Sequence, residues 1–255
     1  MKKRIIRLFA WLFLVLVLVF LLFNSSPGIT KEDEKYLKAF LDEWKIGLDK
    51  KQVHLDQQSE IAYISRVQDS VMSTIRHISI PFDSAGNVQC YYSKRKGLCF
   101  DRSLLLEKFC TYAGFEVRHL YIYFNGRGEY PDRSDFFDKG LLSHAMFEVK
   151  TRDGWMAVGT NCNWLGQDKD GKPLAIDVIR EKLRDRTFGM KKQYTIGEPF
   201  YNTLPHQDAF RYVYGVYSRH GQFLKSKPIE TLLNSVGLKS RIPDYNIGML
   251  FSNFW

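Results

Sequence analysis

The sequence predicts an α+β fold, and three observations carry that prediction. Cys99 stands where a basic loop gives way to an apolar helical pattern through Leu105, Leu106, Phe109 and Cys110, stopped by Gly114. Phe115 to Phe124 then alternates as a strand does. Ser143–Val149 and Trp155–Val158 form an apparent hairpin about Thr151-Arg152-Asp153-Gly154. A helix followed by antiparallel strands is α+β, and 255 residues leave room for one sizeable domain with extensions.

At the N-terminus, Lys2, Lys3, Arg4 and Arg7 flank an uncharged run from Leu8 to Phe23. With Ile5 and Ile6 the run approaches the ~20 apolar residues that cross a bilayer. Residues 5–23 are therefore expected to be a single membrane span. The basic flank puts the N-terminus in the cytoplasm and the main domain in the periplasm or outside the cell. A cleaved signal peptide competes with this reading, but Asn24-Ser25-Ser26-Pro27-Gly28 offers only a poor small-x-small site.

The formal charge of +9 follows partly from that topology. Four of the 37 basic residues and none of the 28 acidic ones lie in the flank, leaving 33 against 28. A mildly basic exported domain suits anionic surfaces, and its topology excludes nucleic acid as a partner.

After a short spacer, Thr30 is an expected N-cap with Asp33 three residues on, ahead of Leu37, Phe40, Leu41, Trp44 and Leu48 at helical spacing. A second amphipathic helix is expected through Ile61, Ile64, Val71, Ile75 and Ile78, ending before Pro81. His54 and His77 fall in or beside these helices without companion ligands and read as surface or satisfied residues. Asn125–Leu142 is a long polar loop of the size used for lids and binding loops. Beyond Gly166 the pattern weakens into an aromatic-rich tail. Ser218-Arg219-His220-Gly221 has the look of a second site motif, but nothing around it is spaced as a nucleophile elbow.

Cys90, Cys99, Cys110 and Cys162 are too few and too irregular for a disulfide scaffold. Cys99 and Cys110 lie about 16 Å apart by helical rise, too far to bridge. Cys110 and Cys162 read as small buried apolar residues. No zinc, calcium or phosphate-loop signature is present, so no cofactor is expected.

Cys99 is the candidate nucleophile. A helix N-terminus favours thiolate over thiol, and Lys94, Arg95 and Lys96 just upstream are expected to act in the same direction. His144 is the candidate acid–base partner: an imidazole beside the thiol can hold an ion pair and later protonate a leaving amine. His144 points away from the apolar face formed by Ala145, Phe147 and Val149.

These residues also carry a resemblance. Gly97-x-Cys99, the helix ending Phe109-Cys110-Thr111-Tyr112-Ala113-Gly114, then Phe115-Glu116-Val117-Arg118, His144-Ala145-x-x-Glu148-Val149 and Gly154-Trp155-x-x-Val158 come in an order that resembles the transglutaminase-like superfamily. The likeness covers roughly residues 90–163. It implies a papain-like core in which the helix bearing the cysteine packs on an antiparallel sheet. The expected organisation is a membrane anchor and spacer at 1–29, a helical region at 30–80, a transglutaminase-like core at 81–165 and an extension packed on that core at 166–255.

The implied activity is acyl transfer or hydrolysis of a peptide or amide through an acyl-enzyme at Cys99. The implied partner is a peptide or protein substrate, envelope-associated if the domain is exported. One position departs from the pattern: Gly159 stands where the family places its triad aspartate. If the last strand keeps its period of two, Asn161 is the nearest same-face residue able to orient the imidazole, with Asn163 and Asp177 in reserve. A turn without catalytic role at Gly159-Thr160-Asn161 stays open beside this. So does a degenerate module that binds or assembles rather than catalyses.

Overall fold

The computed structural model describes residues 2–23, 28–47, 56–81, 86–124, 142–184, 210–215, 218–219 and 222–223. The fold is α+β. Helices α1 (Lys2–Phe23), α2 (Lys31–Glu43), α3 (Gln57–Thr74), α4 (Val88–Lys94) and α5 (Cys99–Tyr112) precede strands β1 (Glu116–Phe124), β2 (Leu142–Thr151) and β3 (Gly154–Val158). Helix α6 (Ile176–Arg184), strand β4 (Arg211–Tyr214) and a two-stranded ribbon of β5 (Ser218–Arg219) and β6 (Gln222–Phe223) follow. The main sheet is antiparallel in the order β3-β2-β1-β4.

Local chemistry sets the element ends. Thr30 and Asp33 form the expected capping box, with Asp33 N–H donating to Thr30 Oγ1 at 3.1 Å and Thr30 N–H to Asp33 Oδ2 at 2.9 Å. The same carboxylate accepts from Lys108 Nζ at 2.8 Å, which clamps α2 to α5. Burial opposes ionisation of Asp33, but its hydrogen bonds from Lys108 and Thr30 outweigh burial and hold its pKa below the usual range. Gly114, at φ +95°, ends α5 in the left-handed conformation that glycine adopts most readily.

Helix α3 stops at Thr74, short of the end near Pro81 that its apolar spacing predicted. Ile75 is extended, and its carbonyl accepts from Arg102 Nε and Nη2 at 3.0 and 2.5 Å. The chain then runs beside residues 95–97, with Arg76 N–H donating to Arg95 O and Gly97 N–H to Arg76 O. Tertiary partners for this backbone thus replace continuation of the helix.

The sheet has two covered faces. Phe147, Val149, Met156 and Val158 pack with Leu37, Phe40, Val67, Val71, Leu105 and Phe109 from α2, α3 and α5. Leu120, Ile122, Met146 and Ala157 pack on the other face with Trp164, Leu174, Ile176, Ile179, Phe210 and Tyr212. Each large apolar side chain buried in these layers contributes roughly 1.5–3 kcal/mol. Across β1–β2, Arg118 pairs with Glu148 in register and as an ion pair. Glu148 Oε1 also accepts from Ile176 N–H at 2.6 Å, and the Arg118 guanidinium lies between the Trp155 and Tyr214 rings at 4.2 and 4.1 Å. Burial raises the Glu148 pKa although Ile176 and Arg118 favour its charge.

Among the described residues no helix is long and apolar enough to cross a membrane. In α1 the described side chains are Arg4, residues 6–15 and Leu18, all exposed, a stretch shorter than the span expected over 5–23. The loop at 125–141, His54, residues 220–221 and the tail beyond Phe223 lie outside the described residues.

Strand β3 ends early because Gly159 leaves the ladder: its N–H donates to Trp164 O at 3.0 Å. Its carbonyl accepts from Nε2 of the buried Gln68 at 2.8 Å, and that amide also reaches Trp164 O at 2.9 Å. Gln68→Leu strands the buried Gly159 carbonyl and takes one of two donors from Trp164 O, so it is expected to cost about 2 kcal/mol, read as a lower urea midpoint at unchanged slope.

Candidate active site

The early end of β3 shapes the candidate site. The β2–β3 register stops at Phe147↔Val158, so Ala145 lies two residues beyond the ladder. Its main chain finds other partners. The Thr160 hydroxyl donates to Ala145 O at 2.5 Å, and the Cys99 thiol faces the Ala145 N–H from the start of α5. Cys99 is therefore brought to the residue next to His144. Cys99 is half-buried; Ala145 pairs across to Tyr121 on β1, and both Tyr121 and His144 are buried.

His144 shares its face of β2 with Met146 and Glu148, opposite Ala145, Phe147 and Val149. Its Nε2 lies 3.3 Å from Thr160 Oγ1. The single hydroxyl proton of Thr160 is committed to Ala145 O, so the oxygen is left to accept from imidazole Nε2–H. That choice fixes the tautomer: the proton sits on Nε2 and the basic lone pair on Nδ1.

Charge around the pair differs from the sequence expectation. Burial pushes the Cys99 thiol above its usual pKa, Asp101 adds to the rise, and the N–H groups of Ala145 and Phe100 together with Arg102 oppose it. Lys94, Arg95 and Lys96 are not among the leading influences. Arg95 is engaged elsewhere, bonded to Glu43 at 2.7 Å with its guanidinium over Phe40 and Tyr92. Burial also depresses His144 to a pKa of about 3, and the neighbouring charges of His77 and Arg102 act in the same direction. Cys99 rests as a thiol and His144 as a neutral imidazole, not as the charged forms expected from sequence.

The residues considered as third member separate. Asn161 Oδ1 accepts from Arg102 Nη1 at 3.4 Å. Asn163 donates to Asp69 at 2.6 Å on the surface. Asp177 lies in the first turn of α6, its carboxylate accepting from Val178 N–H at 2.8 Å. The residue set against the imidazole is Thr160. The period-two extrapolation that selected Asn161 ends with β3 at Val158.

Nor is there room for a carboxylate at Gly159. A Cβ there would meet Cys162 O at 2.6 Å and Trp164 Nε1 at 2.8 Å. Sequence reading also missed Arg102, one turn along α5 from Cys99, and His77, which is exposed on the segment after α3 yet acts electrostatically on His144. The one available signal for Thr160 was its position next to the vacant aspartate site.

Asp101 holds the helix start: Leu98 N–H donates to its Oδ2 at 2.9 Å and the Tyr91 hydroxyl to its Oδ1 at 3.2 Å. Beneath, Glu107 Oε1 accepts from Ser103 Oγ at 2.9 Å and His119 Nδ1 at 2.5 Å, fastening α5 to β1. All four cysteines are free thiols. Among the described residues no group of three His, Cys, Asp or Glu side chains is arranged to hold a metal ion. Comparison of the chain with protein-family models and with curated proteins gives no match.

His144 makes stability depend on acid in a definite direction. Its folded pKa lies below the ordinary 6.5, so protonation favours the unfolded chain. The stability is intact above pH 6.5 and is lost toward pH 3, by about 1.4 kcal/mol per pH unit. Urea midpoints of wild type are expected to fall between pH 6.5 and pH 5, and those of His144→Asn to change much less.

Proposed function

We propose that this chain is a membrane-anchored, outward-facing thiol acyltransferase or amidase of the transglutaminase-like type, with Cys99 as nucleophile and His144 as its acid–base partner. The observation that carries the reading is the meeting of two distant segments: the first residue of α5 presents its thiol to the Ala145 N–H, next to a histidine whose tautomer Thr160 selects. The sequence resemblance at 90–163 supports the same chemistry. The anchor rests on the basic flank and the uncharged run of the first 23 residues.

A neutral pair works by general-base attack. As Cys99 sulfur bonds the substrate carbonyl carbon, Nδ1 of His144 takes the thiol proton and the carbonyl oxygen becomes an oxyanion. Main-chain N–H groups at the start of α5, that of Cys99 included, are suited to receive the oxyanion. Collapse of the tetrahedral intermediate breaks the carbon–nitrogen bond, and the imidazolium protonates the departing amine. The thioester left on Cys99 is then attacked by water or an amine, whose proton passes to His144 and returns to sulfur. Arg102 favours each anionic stage at Cys99, because its charge lowers the cost of negative charge there.

A second reading, a non-catalytic binding or assembly module, is favoured by the burial that holds the Cys99 thiol protonated and by the closed space at Gly159. Turnover separates the two. A peptide amide consumed by wild type and not by Cys99→Ala supports the enzyme, whereas a panel consumed equally by both favours the module.

If Thr160 orients the imidazole, Thr160→Val lowers that turnover by about tenfold or more, roughly 1.4 kcal/mol, and by more than Asn161→Ala does. The reverse order returns the orienting role to Asn161. For location, protease added to intact spheroplasts is expected to digest residues 31–255. Protection of that region removes the outward-facing topology.

A further inference from the structure

The surface just ahead of Cys99 is basic in a way the acyl-transfer chemistry does not require. Two segments lie side by side there, joined by the parallel bridge Arg76↔Lys96 and by the hydrogen bonds from Arg76 N–H to Arg95 O at 2.9 Å and from Gly97 N–H to Arg76 O at 3.0 Å. They bring Arg76 beside Lys96, three residues before Cys99, with Lys94 exposed at the end of α4 and His77 exposed after Arg76. Among the described residues, no carboxylate lies within salt-bridge distance of Arg76, Lys94 or Lys96.

The acids nearby are otherwise occupied. Glu43 is bonded to Arg95, Asp101 caps Leu98 and accepts from Tyr91, and Asp69 accepts from Asn163. Arg102 acts on both Cys99 and His144. The amide of Asn161, fixed by Arg102 through its oxygen, holds an enclosed Nδ2 with no acceptor among the described residues. A buried donor left without an acceptor costs about 1–3 kcal/mol, which an entering oxygen ligand removes.

We propose that this site selects an anionic acyl donor: a peptide bearing a free carboxylate beside the carbonyl that Cys99 attacks, received by Arg76, Lys94 and Lys96 just ahead of α5, with the Asn161 amide as a further donor. Guanidinium and amide N–H pairs are planar forks that match a carboxylate. A focused positive potential raises the encounter rate of such a ligand and loses that advantage as salt rises. The proposal rests on Cys99 being the nucleophile.

A pair of alkylating reagents tests it without a known substrate. Iodoacetate carries the carboxylate and iodoacetamide is its neutral counterpart, and labelling of Cys99 by each is read by peptide mass spectrometry of the full chain in detergent. The rate ratio of iodoacetate to iodoacetamide at Cys99 is expected to exceed that of Cys90 by about fivefold or more. It is expected to fall toward the Cys90 value between about 0.01 M and about 1 M ionic strength, as the screening length shrinks from about 30 Å to about 3 Å. Arg76→Ser with Lys96→Ser is expected to lower the iodoacetate rate and leave the iodoacetamide rate in place.

Tri-glutamate is expected to protect Cys99 from iodoacetamide more strongly than inorganic phosphate at matched ionic strength. Ratios equal at Cys99 and Cys90, with both thiols reacting, overturn the anionic preference and leave the nucleophile standing. Stronger protection by phosphate overturns the carboxylate assignment. A Cys99 inert to both reagents while Cys90 reacts overturns the nucleophile and this proposal together. The salt series on wild type decides the charge question even where the double variant does not fold.

Discussion

Arg102 is the interaction on which the candidate site depends. It lies on α5 one turn beyond Cys99 and is almost wholly buried. Its guanidinium donates to the carbonyl of Ile75, where α3 ends, and to Asn161 in the turn after β3. One cation thus joins the helix that carries the thiol, the segment that carries His77 and the turn that carries Thr160. Desolvating a guanidinium is expensive, and hydrogen bonds to fixed oxygens offset much of that cost only when their geometry is held. The three segments therefore have little freedom to move independently around Cys99.

Burial decides the resting state of Cys99 and His144, and the same charge biases it. Burial disfavours both thiolate and imidazolium, while Arg102 favours the first and disfavours the second. The helix dipole adds to the preference for an anion at Cys99. With burial dominant, the site rests neutral, and the surrounding positive charge acts when negative charge develops on sulfur or on an attacked carbonyl oxygen. Electrostatics already in place at that moment need no reorganisation, which is how a fixed cation lowers a barrier.

Local sequence rules read the elements well where the determining chemistry is itself local. The Thr30–Asp33 box, the stop at Gly114 and the tight turn through Arg152 and Asp153 each depend on residues within four positions, and each was legible. What escaped was decided over long range. Helix α3 ends because Arg102, 27 residues on, takes the Ile75 carbonyl. Helix α4 is a single short stretch, and α6 starts where Ile176 N–H meets Glu148, 28 residues back. Asn161 was selected by extending a strand that Gln68, 91 residues upstream, helps to end at Gly159. The burial that reverses the expected charge state of Cys99 and His144 likewise comes from the assembled fold.

On the acyl-transfer reading, the departure at Gly159 becomes an adaptation of the turn rather than a gap in the chemistry. The turn after β3 is drawn inward by Gln68 until Gly159 lies against Cys162 O and Trp164 Nε1, leaving no volume for any side chain. That contraction carries the next residue, Thr160, under the end of β2, where its hydroxyl spans Ala145 O and the His144 imidazole. A carboxylate would have to orient the ring and stabilise its charged form at once. A hydroxyl that has already given its proton away orients the ring as well but stabilises imidazolium far less. The orienting residue and the low pKa of His144 therefore agree: both belong to a site that keeps its base neutral until the thiol proton arrives.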